Sequence, residues 1–480
     1  MASVREETAR GIKWGLIQKC TMQPVQFVFG IILARLISPD EMGILGLTGI
    51  FFAFAGQLQD CGFGAALIRK QDRTDEDICT VFWFNIAMSF IFSMALFLAA
   101  PWFVWFFDQP ALLNLTRVSA LLMFLGSTSS VHWTLYSARR DFKTPAIVSM
   151  CTTLVAMPFT IWAAFAGWSY WAPMLQGIIS SLLGLMTVWI ISPWKPSFKF
   201  SKKSFNIFFD FGCKLTASGL ITTTYSQLRA FLIGKFYSSA QLAYFTRGYA
   251  TCHTPMQLVN GLLGSVTYPI LATLQHSPHQ LIHVYRQYIR LSAMVIEWGM
   301  ITMAANTHAF VALLYGPMWL PCVPYAQILC IGIMLDPLYN INSSLYTTLG
   351  RTDIMLKRET ILRIIGLSAM CIGAWHSVLG ICIAALITSL FAFTLTCIMT
   401  TRICPLSYKQ QLHDFIPYLL MALVANIPSI ITNFLHLHPL LSLFIGGFGS
   451  ITIYTSLLII SKDNTAIYLY TFIKNKFSRI

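Results

Sequence analysis

The chain has 480 residues, 56% of them hydrophobic and only 10% charged, with a net charge of +14 and a mean hydropathy of +0.66. Soluble domains carry about 25% charged residues, so a single aqueous core is excluded and lipid must solvate much of the surface. The apolar runs are long and do not alternate, which excludes a barrel and leaves helices.

Taking runs of about 20 mainly apolar residues as spans, fourteen are predicted: 12–36, 43–67, 79–101, 111–135, 145–166, 169–191, 208–234, 241–269, 287–314, 323–349, 359–376, 378–400, 415–435 and 439–461. The fold class expected is an all-α integral membrane protein. The first span contains Gln18, Lys19, Gln23 and Gln26, too polar for a cleavable signal, so it is read as retained. With the N-terminus inside, the inner connections collect Arg69, Lys70 and Arg73, then Arg139, Arg140 and Lys143, then Lys195, Lys199, Lys202 and Lys203. Further along they collect Arg286, Arg290, Arg351, Lys357, Arg358, Arg363, Arg402 and Lys409, and the tail adds Lys462, Lys474, Lys476 and Arg479. The outer connections hold Asp40, Glu41 and Asp108. This positive-inside pattern puts both termini in the cytoplasm of a multi-pass protein. It also explains the net charge, because inner cations meet anionic membrane lipids. No basic patch remains for a nucleic-acid partner.

The chain repeats itself. The turn Ala34-Arg35-Leu36-Ile37-Ser38-Pro39-Asp40-Glu41-Met42-Gly43 has a weaker copy 200 positions on, at Gly234-Lys235-Phe236-Tyr237-Ser238-Ser239-Ala240-Gln241-Leu242-Ala243. Leu135-Tyr136-Ser137-Ala138-Arg139-Arg140-Asp141 has an echo in Leu345-Tyr346-Thr347-Thr348-Leu349-Gly350-Arg351-Thr352-Asp353. Two pseudo-symmetric six-helix bundles are expected, at 1–200 and 201–402, followed by two extra helices and a cytoplasmic tail at 403–480.

Seven cations fall outside the inner loops. Arg35, Arg117 and Lys235 sit near outer helix ends, where snorkelling accounts for them. Lys19, Lys214, Arg229 and Arg247 lie deeper, where each costs about 2.5–3.5 kcal/mol near the bilayer centre. Steps of three and four place Lys19, Gln23, Gln26 and Gly30 on one face of the first span. The same steps align Lys214, Ser218, Thr222, Tyr225 and Arg229 in the seventh, and Arg247, Thr251, Thr254, Gln257, Gly261 and Ser265 in the eighth. In the second span Gly46, Gly49, Ala53, Gln57, Asp60 and Gly64 share a face. The small-residue stripe reads first as interhelical packing, the cationic stripes as the wall of a water-filled, positive cavity. Lys19, Lys214, Arg229, Arg247, Gln23, Gln57 and Gln257 are the candidate substrate-binding residues. The acids counted inside the spans are Asp60, Glu297 and Asp336, candidates for coupling to an ion. Asp336-Pro337 should also break the tenth span.

No P-loop, nucleophile elbow or zinc-protease signature occurs, so no enzyme activity and no cofactor are expected. His279 and His283 are one helical turn apart, but nothing completes a metal set. The twelve cysteines contain no Cys-x-x-Cys pair and read as small apolar filler.

The first hairpin, with Asp60-Cys61-Gly62-Phe63-Gly64-Ala65-Ala66-Leu67-Ile68-Arg69-Lys70 at its end, closely resembles that of polysaccharide-export flippases of the MOP superfamily. The resemblance extends over essentially the whole chain, and the branch it is most similar to is the WzxC-type lipopolysaccharide biosynthesis proteins. It implies a V of two bundles in the bacterial inner membrane and a substrate of undecaprenyl-diphosphate-linked oligosaccharide. That substrate would be turned from inner to outer leaflet during O-antigen, capsule or exopolysaccharide synthesis. It also admits polysaccharide polymerase machinery as a partner. The rival within the superfamily is a cation-coupled drug or small-molecule antiporter, which would favour an acidic cavity.

Overall fold

The computed structural model describes residues 2–435 and 437–461, except the side chains of 2–10, 12, 13, 16, 59, 60, 258, 262–266 and 269. The cationic tail and the Asp60 side chain therefore lie outside the described residues. Every predicted span is mainly helical over its described residues, with breaks in the second, tenth and thirteenth. In order, the helices are α1 (Ala2–Leu36), α2 (Pro39–Asp60), α3 (Phe63–Arg69), α4 (Asp75–Phe107), α5 (Leu112–Ala138) and α6 (Lys143–Phe165). Then come α7 (Trp171–Ile191), α8 (Lys202–Phe236), α9 (Ser239–Thr273), α10 (Pro278–Leu314), α11 (Val323–Ile333) and α12 (Asp336–Thr348). The last are α13 (Thr352–His376), α14 (Val378–Thr401), α15 (Tyr408–His413), α16 (Ile416–Ala425), α17 (Ile427–Phe434) and α18 (Pro439–Ile460).

Among the described residues, eight helical stretches are both long and apolar enough to cross a membrane. Six more helices, α1, α5, α8, α9, α10 and α13, have 25 to 37 residues, long enough at 1.5 Å per residue but more polar. Three of these six carry the cationic stripes. A helix that gives one face to water or protein loses mean hydropathy without losing the length to span.

The chain groups into two compact units, Met1–Ala243 and Tyr244–Ile480. In the first, Phe63 and Leu67 of α3 are buried in a cluster with Val81 and Phe82 of α4, Val131 and Leu135 of α5, and Phe208 of α8. In the second, Tyr285 and Ile289 of α10 pack with Leu338, Ile341 and Leu345 of α12 and Cys397 of α14. The extra C-terminal helices are tied to α10 by hydrogen bonds. Trp298 Nε1 donates to Ser450 Oγ at 2.9 Å, Asn306 Nδ2 to Ser429 Oγ at 2.9 Å, and the Tyr454 hydroxyl to the Met294 carbonyl at 2.7 Å.

Both repeats appear in the backbone bonding. Ser38 caps α2 through its side chain and Glu41 returns the bond, a capping box with Pro39 in the first turn. At an offset of 200, the Gln241 N–H bonds Ser238 Oγ at 3.3 Å, as the Glu41 N–H bonds Ser38 Oγ at 3.4 Å. The end of α5 is closed by bonds from Arg139, Arg140 and Asp141 to the carbonyls of Leu135, Ser137 and Tyr136. The end of α12 repeats them 210 positions on, from Leu349, Gly350 and Arg351 to Leu345, Thr347 and Tyr346. Both turns pass through the left-handed region, at Arg140 (φ 58°) and Gly350 (φ 68°).

The spans break where the backbone demands it. The second bends at Cys61 and Gly62, both left-handed (φ 46° and 71°). The tenth is interrupted ahead of Asp336-Pro337, as predicted. The span predicted over 415–435 is not continuous: it parts at Asn426, between α16 and α17, because Pro428 has no N–H for the ladder. At the start of α4, outside the apolar run, Asp77 is buried (1% exposed) against Lys70 at 2.7 Å. Burial alone would raise its carboxyl, but Lys70 and the Thr74 N–H outweigh this and hold it below the ordinary 3.8.

Candidate functional site

The stripe residues fall into distinct environments. Lys19 on α1 is exposed, and neither it nor half-buried Arg229 on α8 has an ion pair among the described residues. Lys214 is also exposed, but it is not alone. Its Nζ lies 2.8 Å from Asp210 Oδ1 one turn earlier, and both side chains are about three-quarters exposed (75% and 76%). Asp210 lies inside the predicted seventh span and Glu359 at the start of the predicted eleventh, so the three acids counted inside the spans become five, a correction to that count. The Lys214–Asp210 pair is solvated, so it trims the local charge without filling a dry core.

Arg247 on α9 is held differently. Its guanidinium lies 5.1 Å from the Tyr315 ring centroid and 5.2 Å from that of Trp319, within the second unit. That aromatic clamp fixes the cation by its quadrupole attraction. Of the amides, Gln57 and Gln257 are exposed and Gln23 is half-buried, with its Oε1 enclosed and unbonded. Lys235, at the end of α8, sits 4.2 Å over the Phe106 ring.

Helices α2, α8 and the start of α9 meet through glycines. A Cβ at Gly43 would fall on the Ser239 backbone carbonyl, one at Gly234 on the Leu47 side chain, and one at Gly219 on the Gln57 amide. At Gly62 it would stand 2.7 Å from the Gly212 carbonyl. Gln57 thus reaches α8 between Lys214 and Arg229. Both ends of the small-residue stripe are packed, but its middle is not: a Cβ at Gly49 would meet nothing within 4 Å. Between the midsections of α2, α4 and α8 lies an apolar cavity of about 530 Å3, with Phe51, Phe54, Phe92, Phe103 and Phe231 in its wall.

Among the acids, Glu297 on α10 is fully buried (0% exposed) and neither carboxyl oxygen has a hydrogen-bond partner. Asp336 opens α12 and is half-buried. Asp60 is not described beyond its place at the end of α2.

Two features escaped the sequence reading. Arg358, assigned to a solvated inner loop, is buried (0% exposed) on α13, a further correction. Its guanidinium sits 4.0 Å from the Tyr339 ring and 5.1 Å from Tyr346, and bonds Ser343 Oγ at 2.7 Å. Asp414, unremarked before, is 1% exposed between Arg286 and Arg290, each at 2.6 Å. The cationic run around Arg358 and the plain loop around Asp414 carry no linear sign of either arrangement.

Comparison with known proteins places this architecture. A model of the family described as "Polysaccharide biosynthesis protein" matches residues 32–324. The chain is 24% identical over 372 residues to the teichuronic acid biosynthesis protein TuaB of Bacillus subtilis (strain 168), covering 77% of each chain. It is 20% identical over 444 residues to the lipopolysaccharide biosynthesis protein WzxC of Escherichia coli (strain K12), covering 90% of this chain and 88% of the relative. In fold it is similar to the lipid II flippase MurJ in an inward closed conformation, with TM-score 0.69, 13% identity, and 96% and 100% of the two chains covered. It is also similar to an inward-facing multidrug resistance MATE transporter of the MOP superfamily, with TM-score 0.59, 14% identity, and 81% and 98% covered. The matched segment takes in the first hairpin, its copy at Ser238 and the glycine contacts between them, and on that match the chain belongs to the polysaccharide biosynthesis protein family.

Proposed function

We propose that the chain is a flippase that turns a lipid-diphosphate-linked oligosaccharide from the inner to the outer leaflet during bacterial surface polysaccharide synthesis. The observation that carries this reading is the pair Lys19 and Arg229, cations on long helices of the predicted spans with no ion pair among the described residues. Such groups replace water around a diphosphate by charge-assisted hydrogen bonds. Undecaprenyl diphosphate is the carrier that the family resemblance suggests, and polymerase machinery the acceptor on the far side. The proposed arrangement is fourteen spans, with bundles at 1–200 and 201–402, two added helices, and both termini cytoplasmic. The halves expose the cationic faces to one side and then the other. An antiporter for cationic drugs is disfavoured because cations outnumber acids along these faces.

Replacing Arg229 or Lys214 by alanine should lower surface glycan about tenfold or more while protein stays in the membrane, with lipid-linked precursor accumulating inside. Normal surface glycan in both variants would remove these residues from the reading. Lys19, Arg247, Gln23, Gln57 and Gln257 are proposed as secondary contacts.

Glu297 is the proposed coupling group, ahead of Asp60 and Asp336. A buried carboxyl with no partner is tolerated as the neutral acid and is costly as the anion, so its charge changes only when the surroundings open. Glu297→Gln, which keeps the shape and cannot exchange a proton, should fold normally. Its flipping in vesicles should lose any response to an imposed pH gradient. A response equal to wild type would pass the role to Asp60 or Asp336.

A further inference from the structure

A second cavity, of about 810 Å3, lies within the first unit between α1, α5, α6 and α7. Among the described residues no charged side chain lines it, but nine serine and threonine side chains do. Five of these turn back to backbone carbonyls; the Ser129 and Ser130 hydroxyls, for example, donate to Gly126 and Ser127, each at 2.9 Å. The other hydroxyls, on Ser137, Ser149, Thr153 and Ser181, have no hydrogen-bond partner among the described residues, nor have the Trp133 indole N–H and the Gln18 amide. Space is ample: a Cβ at Gly15 or at Gly184 would meet nothing within 4 Å. The inner end is bounded by Phe142 and Pro145, beside the Arg139–Lys143 turn.

Six unbonded polar groups that line one cavity suit a polar guest: Ser149 is exposed and the other five are half-buried, so each keeps bonding capacity that a ligand can use. The lining selects among guests. A diphosphate calls for cations, and the described lining holds none. A hydrocarbon tail calls for an apolar wall such as that of the 530 Å3 cavity. Hydroxyls that both donate and accept, an amide that does both, and an indole with a flat apolar face and one N–H match a neutral polyhydroxyl compound. The volume lies within the range of about 300–1,000 Å3 usual for small-ligand sites.

We propose that this cavity is a sugar subsite: it receives neutral sugar residues of the glycan headgroup, with Trp133 against a ring face and the hydroxyls of α6 and α7 around its rim. This rests on the flippase reading and extends it, dividing the headgroup between a cationic site for phosphate and an uncharged site for sugar.

The test uses the full chain purified in detergent and two probes. One is the oligosaccharide released by mild acid from the surface polysaccharide of the producing cell. The other is bare undecaprenyl diphosphate. Saturation-transfer NMR should show the oligosaccharide bound by wild type. Binding should weaken about tenfold in Trp133→Ala and in the double variant Ser149→Ala with Thr153→Val, which deletes hydroxyls at nearly constant volume, so a folding defect in the first leaves the second to be read. Arg229→Ala should keep the oligosaccharide and lose the bare diphosphate. Oligosaccharide binding that is absent in wild type, or unchanged in the double variant, would overturn the subsite. Diphosphate binding unaffected by Arg229→Ala would instead count against the phosphate site, so the two failures are distinguishable.

Discussion

Gly43→Leu should leave little folded protein in the membrane, whereas Gly49→Ala, six residues along the same helix, should be neutral or slightly stabilising. The difference comes from what lies outside each Cα. At Gly43 a Cβ would coincide with the Ser239 backbone carbonyl. Backbone cannot rotate aside as a side-chain tip does, so the start of α9 must leave α2. That separation also breaks the bond from Ser239 Oγ to Asp40 Oδ1, 3.3 Å long, and uncovers Leu242, which is fully buried. Overpacking usually costs about 1–3 kcal/mol; a backbone clash with a leucine behind it should reach the top of that range or pass it. At Gly49 the space is open, and alanine gains up to about 1 kcal/mol in helix propensity. Size-exclusion chromatography of detergent-extracted protein, with thermal unfolding of the monodisperse fraction, reads both. Equal yield and equal Tm for the two variants would mean that the hairpin tips do not touch.

This contact shows how far the sequence could be read. Helix positions were legible because each is a long apolar run, and the repeat was legible because Ser38 and Ser238 sit at equivalent caps. Which surfaces meet was not. Gly43 and Ser239 are distant in sequence, and a glycine in a span looks the same whether it touches a backbone or open space, as Gly49 does. The faces bearing Lys19, Lys214 and Arg229 are expectations from spacings of three and four, yet the Asp210 partner of Lys214 was missed because that acid, although inside the predicted span, was left out of the count. Arg358 was missed for the opposite reason: cations crowd its neighbourhood, so burial between two tyrosine rings left no mark. The hydroxyl-lined cavity is contributed by four helices, with its serines and threonines spread over α5, α6 and α7, so no single stretch of sequence carries the pattern. Asn426 interrupts a run that stays apolar on both sides, so composition concealed the break and Pro428 alone hinted at it.

Asp414→Ala should lower the stability of the second unit by about 2–4 kcal/mol, and Asp414→Asn by less. The carboxylate is buried at the end of α15 and takes two hydrogen bonds from Arg286, Nε at 2.6 Å and Nη2 at 2.8 Å, plus one from Arg290 Nε at 2.6 Å. Arg286 is thus a two-pronged contact of the kind only a guanidinium makes. Removing one partner of a fully buried pair costs about 3–5 kcal/mol. Here the arginine side chains are 28% and 33% exposed, so water recovers part of that loss. Alanine leaves two cations one helical turn apart with nothing between them; asparagine keeps an acceptor for one and removes the charge. Arg290→Ala should be the mildest change, because the Arg286 fork survives. At roughly 2–4 °C per kcal/mol for a unit of this size, Asp414→Ala should lower Tm by several degrees. Surface glycan should fall only in proportion to folded protein, since neither arginine belongs to the cationic stripes. A variant melting with wild type would show that α10 and the C-terminal helices are held without the Asp414 clamp, by their apolar faces and the bonds of Trp298, Asn306 and Tyr454. Export lost at full protein level would instead make the Asp414 clamp part of the moving machinery.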